Sequence, residues 1–389
     1  IYMLITIRLF VGIGYALVMS NRDALLTMTF AQKQKGIAIG LQGIGLGLGL
    51  ALGPFLAGIV IEIWGWQAVF LCIAPVAWLA VLLCFALLPR DGMISMSNVN
   101  IYQAISLFLI LSSTIIALNQ SARIGIAHPL TLSSIITGLV SLVTFILLQK
   151  KVLHPVIDFS LFKSSVYSLG LTVLLAMYLV SNAATAITPF LLIHGLGYSA
   201  TKTGMLSSLL HGIRPICSPV TGWLWTRITS NSLWLVGNIT LIAGVFISGF
   251  AESTTDPTVM IFIGFALIGW GTAMIETTSG SIILATTDNS RLGSASASVA
   301  TFRQVGLALG STFGMAMFVL LSARMADIPA SSLTPHTIAT SILVSAINNT
   351  LFVCGSISIL VTVIMLRYWK SLNKEIYSLL LHMKNLPHR

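Results

Sequence analysis

Gly49-Leu50-Ala51-Leu52-Gly53 recurs 257 residues further on as Gly306-Leu307-Ala308-Leu309-Gly310. The same offset carries Gly12, Gly14 and Ala16 onto Gly269, Gly271 and Ala273, and Gly36 and Ala38 onto Gly293 and Ala295. One such match is cheap in a chain rich in Gly, Ala and Leu. A shared offset across two consecutive apolar stretches marks an internal repeat. Both copies lie in runs long enough to cross a bilayer, so the repeating unit is a set of membrane helices.

Composition requires the bilayer as solvent. The 389 residues are 56% hydrophobic and 8% charged, with a mean hydropathy of +0.96. A soluble domain carries roughly a quarter of its residues as charges, and so few could not cover a globule of this size. The net charge of +10 does not indicate nucleic acid. Its basic residues sit in short segments between apolar runs, with no basic groove and no interleaved aromatics. Cys72, Cys84, Cys217 and Cys354 all lie inside apolar runs without metal-ligand spacing, and read as small hydrophobes.

Eleven apolar runs are predicted to span, over roughly 1–22, 36–62, 66–88, 99–118, 130–149, 165–193, 203–226, 231–250, 258–284, 292–322 and 340–368. Breaker residues such as Pro89-Arg90-Asp91-Gly92 and Asp256-Pro257 mark the joints. Fourteen Lys and Arg fall in one alternating set of loops and three (Arg123, Lys202, Arg324) in the other. That asymmetry predicts a cytoplasmic C-terminus. The tail 371–389, with Ile376, Leu379, Leu380 and Met383 among Lys374, His382 and Lys384, fits either a short surface helix or a solvated tail.

The offset relates the first run to the ninth and the second to the tenth, an even number of crossings. The two copies therefore point the same way, as in a parallel repeat. Counted from it, 165–370 is a six-helix half, 1–88 is the last three helices of an equivalent half, and 89–164 holds an extra pair and a linker. Three helices are expected upstream, making fourteen in all.

This all-α polytopic arrangement resembles the fourteen-span drug:proton antiporters, the EmrB/QacA-type branch of the major facilitator superfamily. Arg8, Gly12 and Gly14 in RLFVGIGYA are similar to the arginine-glycine motif of that family's fourth span. Gly49, Gly53, Pro54 and Gly58 in GLALGPFLAG resemble the antiporter signature of its fifth, with Ala57 where a second glycine is usual. His154-Pro155 through Leu161-Phe162 resembles the linker before the C-terminal half, and Arg303-Gln304-Val305-Gly306 the RQ-x-G segment. GWLWTR at 222–227 resembles the cytoplasmic G-x-L-x-D-R loop, with Thr226 in place of the acid. The resemblance implies a major facilitator fold and proton-coupled efflux of amphipathic compounds across the inner membrane. In a double-membraned bacterium it also implies a periplasmic adaptor and an outer-membrane channel as partners. It places the family's first-span acid upstream of Ile1. For the chain as it stands, a non-transporting remnant is therefore an alternative reading.

Ionisable residues inside a membrane are expensive and usually face a cavity or a partner. Arg8, Arg214, Glu276 and Arg303 qualify. Glu276 is the one carboxylate placed well inside a run, where burial penalises its charged form, as proton loading near neutral pH requires. Arg303 enters the next run from the same side, so a fixed ion pair that keeps Glu276 charged is the competing reading. Arg8, Glu276 and Arg303 are the proton-coupling candidates. Arg214, one turn from His211, is open to three readings: holding an anionic substrate, answering a carboxylate upstream, or pairing with backbone carbonyls. Three arginines against one glutamate leave an anionic metabolite as a second substrate class.

Tyr178, Asn182, Asn238, Asn348 and Asn349 are candidates to line a substrate cavity, although such residues more often join helices. The glycine row Gly45, Gly49, Gly53, with Gly43 and Gly47 beside it, predicts close approach of a neighbouring helix, and Pro54 a bend; together they read as tight packing or as a gating hinge. Trp64, Trp66, Trp223, Trp225, Trp234 and Trp369 are predicted interfacial anchors. Enzyme chemistry is not signalled. The sequence has no Walker loop, and GIGLGLG at 43–49 follows no strand and so is not a dinucleotide fingerprint. The expected partners are a small-molecule substrate, protons and the lipid bilayer, with no cofactor and no nucleic acid.

Overall fold

A computed structural model describes residues 2–29, 35–87, 101–149, 159–225, 227–251, 256–287, 291–333 and 338–368. They form eleven long helices. These are α1 Tyr2–Thr29, α2 Lys35–Trp64, α3 Trp66–Leu87, α4 Ile101–Ile124, α5 Pro129–Gln149, α6 Ser165–Phe190, α7 Ala200–Trp225, α8 Ser230–Gly249, α9 Pro257–Ala285, α10 Leu292–Ala326 and α11 Thr340–Arg367. Each covers one of the eleven apolar runs. Among the described residues nine are long and apolar enough to cross a membrane. Two fall short of that measure. α1 offers only a shorter apolar stretch, Met3–Met19. α7 carries Lys202, His211 and Arg214 together with Pro215 and Pro219. The tail 371–389, the linker at 150–158, Thr226 and Trp369 lie outside the described residues.

The helix ends follow local chemistry. Asp256 Oδ1 accepts from the Thr258 N–H at 3.1 Å and the Val259 N–H at 3.4 Å, and Pro257 needs no partner at the first position of α9. α6 runs past Pro189 into one π-helical turn, Leu191–Gly195. Within the helices, Ser and Thr hydroxyls return to their own backbone, as Thr114 to the Ile110 carbonyl and Thr240 to the Val236 carbonyl. In lipid that removes the cost of an unpartnered donor.

The packed centre lies among α6, α8, α9 and α11, where Tyr167, Tyr178, Trp234 and Phe265 are buried. Glycines draw the helices into backbone contact. A Cβ on Gly271 would stand 2.7 Å from the Gly237 carbonyl, and one on Gly244 2.7 Å from the Gly264 carbonyl, so α8 and α9 touch along both pairs. Trp234 departs from its expected interfacial place. It is fully buried and donates to Ser279 Oγ at 2.9 Å, because its ring fills the α8–α9 seam. Trp64, Trp66 and Trp223 are exposed near helix ends, as an anchor should be.

α4 and α5 pair as a hairpin held at one end by the buried Gln103 Nε2–Gln149 Oε1 bond of 3.0 Å, and α4 leans on α10. At the other edge α2 packs on α7, with α1 and α3 beside it. α3 has no buried residue, and Leu71, Trp78, Leu82 and Phe85 all stand clear. In water this surface would be an aggregation site; in a bilayer it is ordinary lipid contact.

Of the α2 glycines, Gly47 and Gly58 meet a neighbouring helix among the described residues. Gly45, Gly49 and Gly53 have open room where a Cβ would go. The stripe that meets α7 is instead Gly47 against the Pro215 ring, Ala51 beside Gly212, the Pro54 carbonyl against Gly204, and Gly58 against the Ala200 carbonyl. Those positions recur at helical spacing of three or four. Of the four signature residues, Pro54 and Gly58 carry the contact, and Gly49 and Gly53 do not.

Candidate functional site

Four helices converge on Glu276. Its Oε2 accepts from Arg214 Nη2 of α7, and its Oε1 accepts from the Tyr178 hydroxyl of α6. Arg303 of α10 brings Nη1 to 3.7 Å from Oε1. Arg214 Nη2 also reaches the Tyr178 hydroxyl at 3.4 Å, and its guanidinium lies 5.7 Å from the centre of the Tyr178 ring. Both carboxylate oxygens are thus engaged, in the manner of a charge-assisted network.

The sequence explains why these side chains meet. Gly306, one turn beyond Arg303, leaves no Cβ between α10 and α6; one placed there would stand 2.7 Å from the Tyr178 Cβ. Gly310 and Gly314 continue the contact against Leu179 and Ala183. The seam puts Arg303 and Tyr178 at one level and turns both toward α9. On α7, Pro215 removes the donor that would serve the His211 carbonyl, and Ser218 Oγ returns to the Arg214 carbonyl at 2.9 Å. The helix that presents Arg214 is therefore loosened beside it.

The cluster is not sealed. Side-chain exposure is 19% for Arg214, 27% for Arg303 and 31% for Glu276. A charged group this far along a membrane helix keeps such exposure where it faces a polar opening rather than lipid. Part of each of these side chains is left uncovered among the described residues.

The structure gives several of the candidate residues partners on neighbouring helices. Among the described residues the acid that pairs with Arg214 is Glu276. Tyr178 holds the carboxylate instead of simply lining a cavity. Asn182 donates from Nδ2 to the Leu307 carbonyl at 2.5 Å, so it joins α6 to α10. Asn238 likewise returns to the Trp234 carbonyl at 2.9 Å. His211 is half-buried one turn from Arg214, and its Nδ1 has no partner among the described residues. Asn348 and Asn349 are half-buried on α11, and Arg8 lies 5.1 Å over the Phe70 ring. Among the described residues no contact joins these last three to the cluster. The Arg214–Glu276 pair was within reach of sequence reasoning, since a buried arginine needs an acid and Glu276 was the one inner carboxylate. No group of three or more His, Cys, Asp and Glu is placed to hold a metal among the described residues.

Comparison with known proteins agrees with this architecture. The model of the Major Facilitator Superfamily matches residues 1–311. Multidrug resistance protein Stp of Mycobacterium tuberculosis is 25% identical over 326 residues, covering 84% of this chain and 59% of Stp. Riboflavin transporter RibZ of Clostridioides difficile is 24% identical over 320 residues, 81% of this chain and 68% of that protein. Lincomycin resistance protein LmrB of Listeria monocytogenes is 23% identical over 276 residues, 70% of this chain and 58% of LmrB. The chain thus spans about three-fifths of the length of Stp and LmrB. Among solved structures, a bacterial homolog of the human lysosomal transporter Spinster, in an inward-facing and occupied conformation, superposes with a TM-score of 0.52. It is 13% identical and the match covers 91% of this chain and 74% of that one, a likeness of fold alone.

Proposed function

Because the chain belongs to the Major Facilitator Superfamily, a class of membrane transporters and not of enzymes, we propose that it serves proton-coupled export of amphipathic small molecules across the inner membrane. The observation that carries the reading is the Glu276 carboxylate, held by Tyr178, Arg214 and Arg303 where four helices meet and still partly exposed. A charged Glu276 ties α7 and α10 to α9. A proton on it cancels the attraction to both guanidiniums, so protonation exchanges one set of helix contacts for another. A two-state element biased by a proton is what coupling requires.

The fourteen-helix architecture of the EmrB/QacA type is part of the proposal. Gly306, Gly310 and Gly314 of α10 lie against α6, and the repeat offset carries them onto Gly49, Gly53 and Ala57 of α2. Around Gly49 and Gly53 there is open room. In two matched halves, that face receives a helix equivalent to α6. The cavity then lies between the halves, which rock about it, with the C-terminus in the cytoplasm. The names of Stp and LmrB support a drug-like substrate.

The test is efflux of a fluorescent amphipathic dye, driven by a proton gradient, in inverted vesicles carrying the full-length gene product. The parent accumulates dye and Glu276→Gln loses the dependence on the gradient. A well-folded parent that moves no dye rejects the reading. An anionic substrate is the second reading, favoured by two guanidiniums gathered on one carboxylate. Under it, Arg303→Gln abolishes transport of an acidic dye and spares a cationic one.

A further inference from the structure

One end of α2 is fastened to the start of α7. Glu62 Oε2 accepts from the Thr201 N–H at 3.0 Å. Thr201 is the second residue of α7, so its N–H is one of those a helix start leaves without an internal partner. The next, on Lys202, is taken by Ser199 Oγ at 3.3 Å. One cap is local and the other is lent by a different helix. A carboxylate in that place also meets the positive end of the helix.

Glu62 prolongs the contact stripe. Gly47, Ala51, Pro54 and Gly58 face α7, and Glu62 stands one turn beyond Gly58. Along that stripe Gly58 meets the Ala200 carbonyl and Gly204 meets the Pro54 carbonyl. Backbone rests on backbone, and any rotation that parts these helices from this end breaks the Glu62–Thr201 bond first. The charge asymmetry of the loops puts this end outside.

We propose that Glu62 is the latch holding the outer ends of α2 and α7 together, released by protonation from the outer medium. The latch rests on the rocking motion proposed above. Among the described residues, the ionisable groups on the elements packed around this end are turned to other partners, His194 stacking on Phe190 at 6.2 Å between ring centres. Lys202 of α7 lies 3.5 Å over the Tyr198 ring and 3.4 Å from Thr258 Oγ1. Asp256 caps α9. Arg8 of α1 lies over Phe70 of α3, and α3 itself contains no Asp, Glu, Lys, Arg or His. A neutral carboxyl keeps an acceptor but loses the charge that the helix start attracts. Protons outside therefore favour the outward-open state, in which they gain access to the interior.

The test uses the full-length gene product with its native cysteines replaced by serine. Spin labels go on Leu71→Cys of α3 and Val259→Cys of α9, both exposed. Distances are read by double electron–electron resonance at about pH 7.5 and about pH 3, which lie on either side of the ordinary glutamate value of about 4.3. The parent is expected to gain about three- to tenfold in its separated population at the lower pH. Glu62→Gln, which keeps an acceptor but carries no charge and does not titrate, shows the parent's low-pH separation at both. Glu62→Ala is separated at both. A parent that does not respond, or a Glu62→Gln that responds as the parent does, overturns the latch. Dye transport by the labelled parent is followed in parallel. Its absence counts against the export reading, while the distances alone decide the latch.

Discussion

Arg214 on α7 and Glu276 on α9 form an ion pair across two helices that are not consecutive in the chain. The pair is partly buried, so its two members depend on each other more than on solvent. Removing Arg214 leaves Glu276 with Arg303 alone, 3.7 Å away, to offset its charge, whereas removing both members leaves no carboxylate to be offset and only the partly exposed Arg303 charged. Arg214→Gln is expected to destabilise the protein by about 3 kcal/mol, and the double change Arg214→Gln with Glu276→Gln to recover most of it. Thermal unfolding in detergent checks this; additive losses would mean that the pair is not coupled.

Tyr178→Phe keeps the ring and removes only the hydroxyl that donates to Glu276. A charge-assisted bond of this kind is worth about 1.5–3 kcal/mol. The variant should fold, with a lower melting temperature and impaired proton-driven transport. A variant with parental stability and parental transport would show that the hydroxyl does not hold the carboxylate.

The α6–α10 seam tolerates no side chain. Gly310→Val would bring its Cβ to 2.9 Å from the Leu179 Cα, which is backbone and cannot yield cheaply. Expression and stability should both fall, by about 1–3 kcal/mol in the latter. Arg303 would be displaced along with the seam.

The repeat makes a sharper forecast for α2. Gly53 corresponds to Gly310, although the described residues leave it open. If an α6-like helix docks there in the full-length gene product, Gly53→Val is as damaging as Gly310→Val. A Gly53→Val protein with parental stability would contradict the two-half architecture. Gly58→Val, which meets the Ala200 carbonyl, should be damaging in either case.

How far the sequence could lead is clear from particular residues. The eleven helices follow from apolar runs bounded by breakers such as Asp256-Pro257, because a membrane leaves the backbone no alternative to a helix. Family membership was legible in the glycine signature and the repeat. The partners were less so. Nothing local tells that Arg214 and Tyr178, on α7 and α6, reach the same carboxylate on α9; only the cost of an unpaired charge pointed there. Which face of α2 meets α7 was illegible for a related reason. Gly45, Gly49 and Gly53 make the more conspicuous row, but contact is set by where α7 lies, and that selected Gly47, Ala51, Pro54 and Gly58. Glu62 passed unnoticed, since an acid at the end of an apolar run reads as a solvated terminus until the helix start opposite it is known.

The central claim, that Glu276 carries the coupled proton, is tested most directly by proton release. Purified full-length protein in weak buffer is mixed with a transported dye, and the pH change is followed for the parent and for Glu276→Gln. Antiport through Glu276 predicts release of about one proton per dye bound by the parent and none by the variant, because binding and protonation are linked. Release of equal size from both proteins would contradict the account and assign the proton to another group.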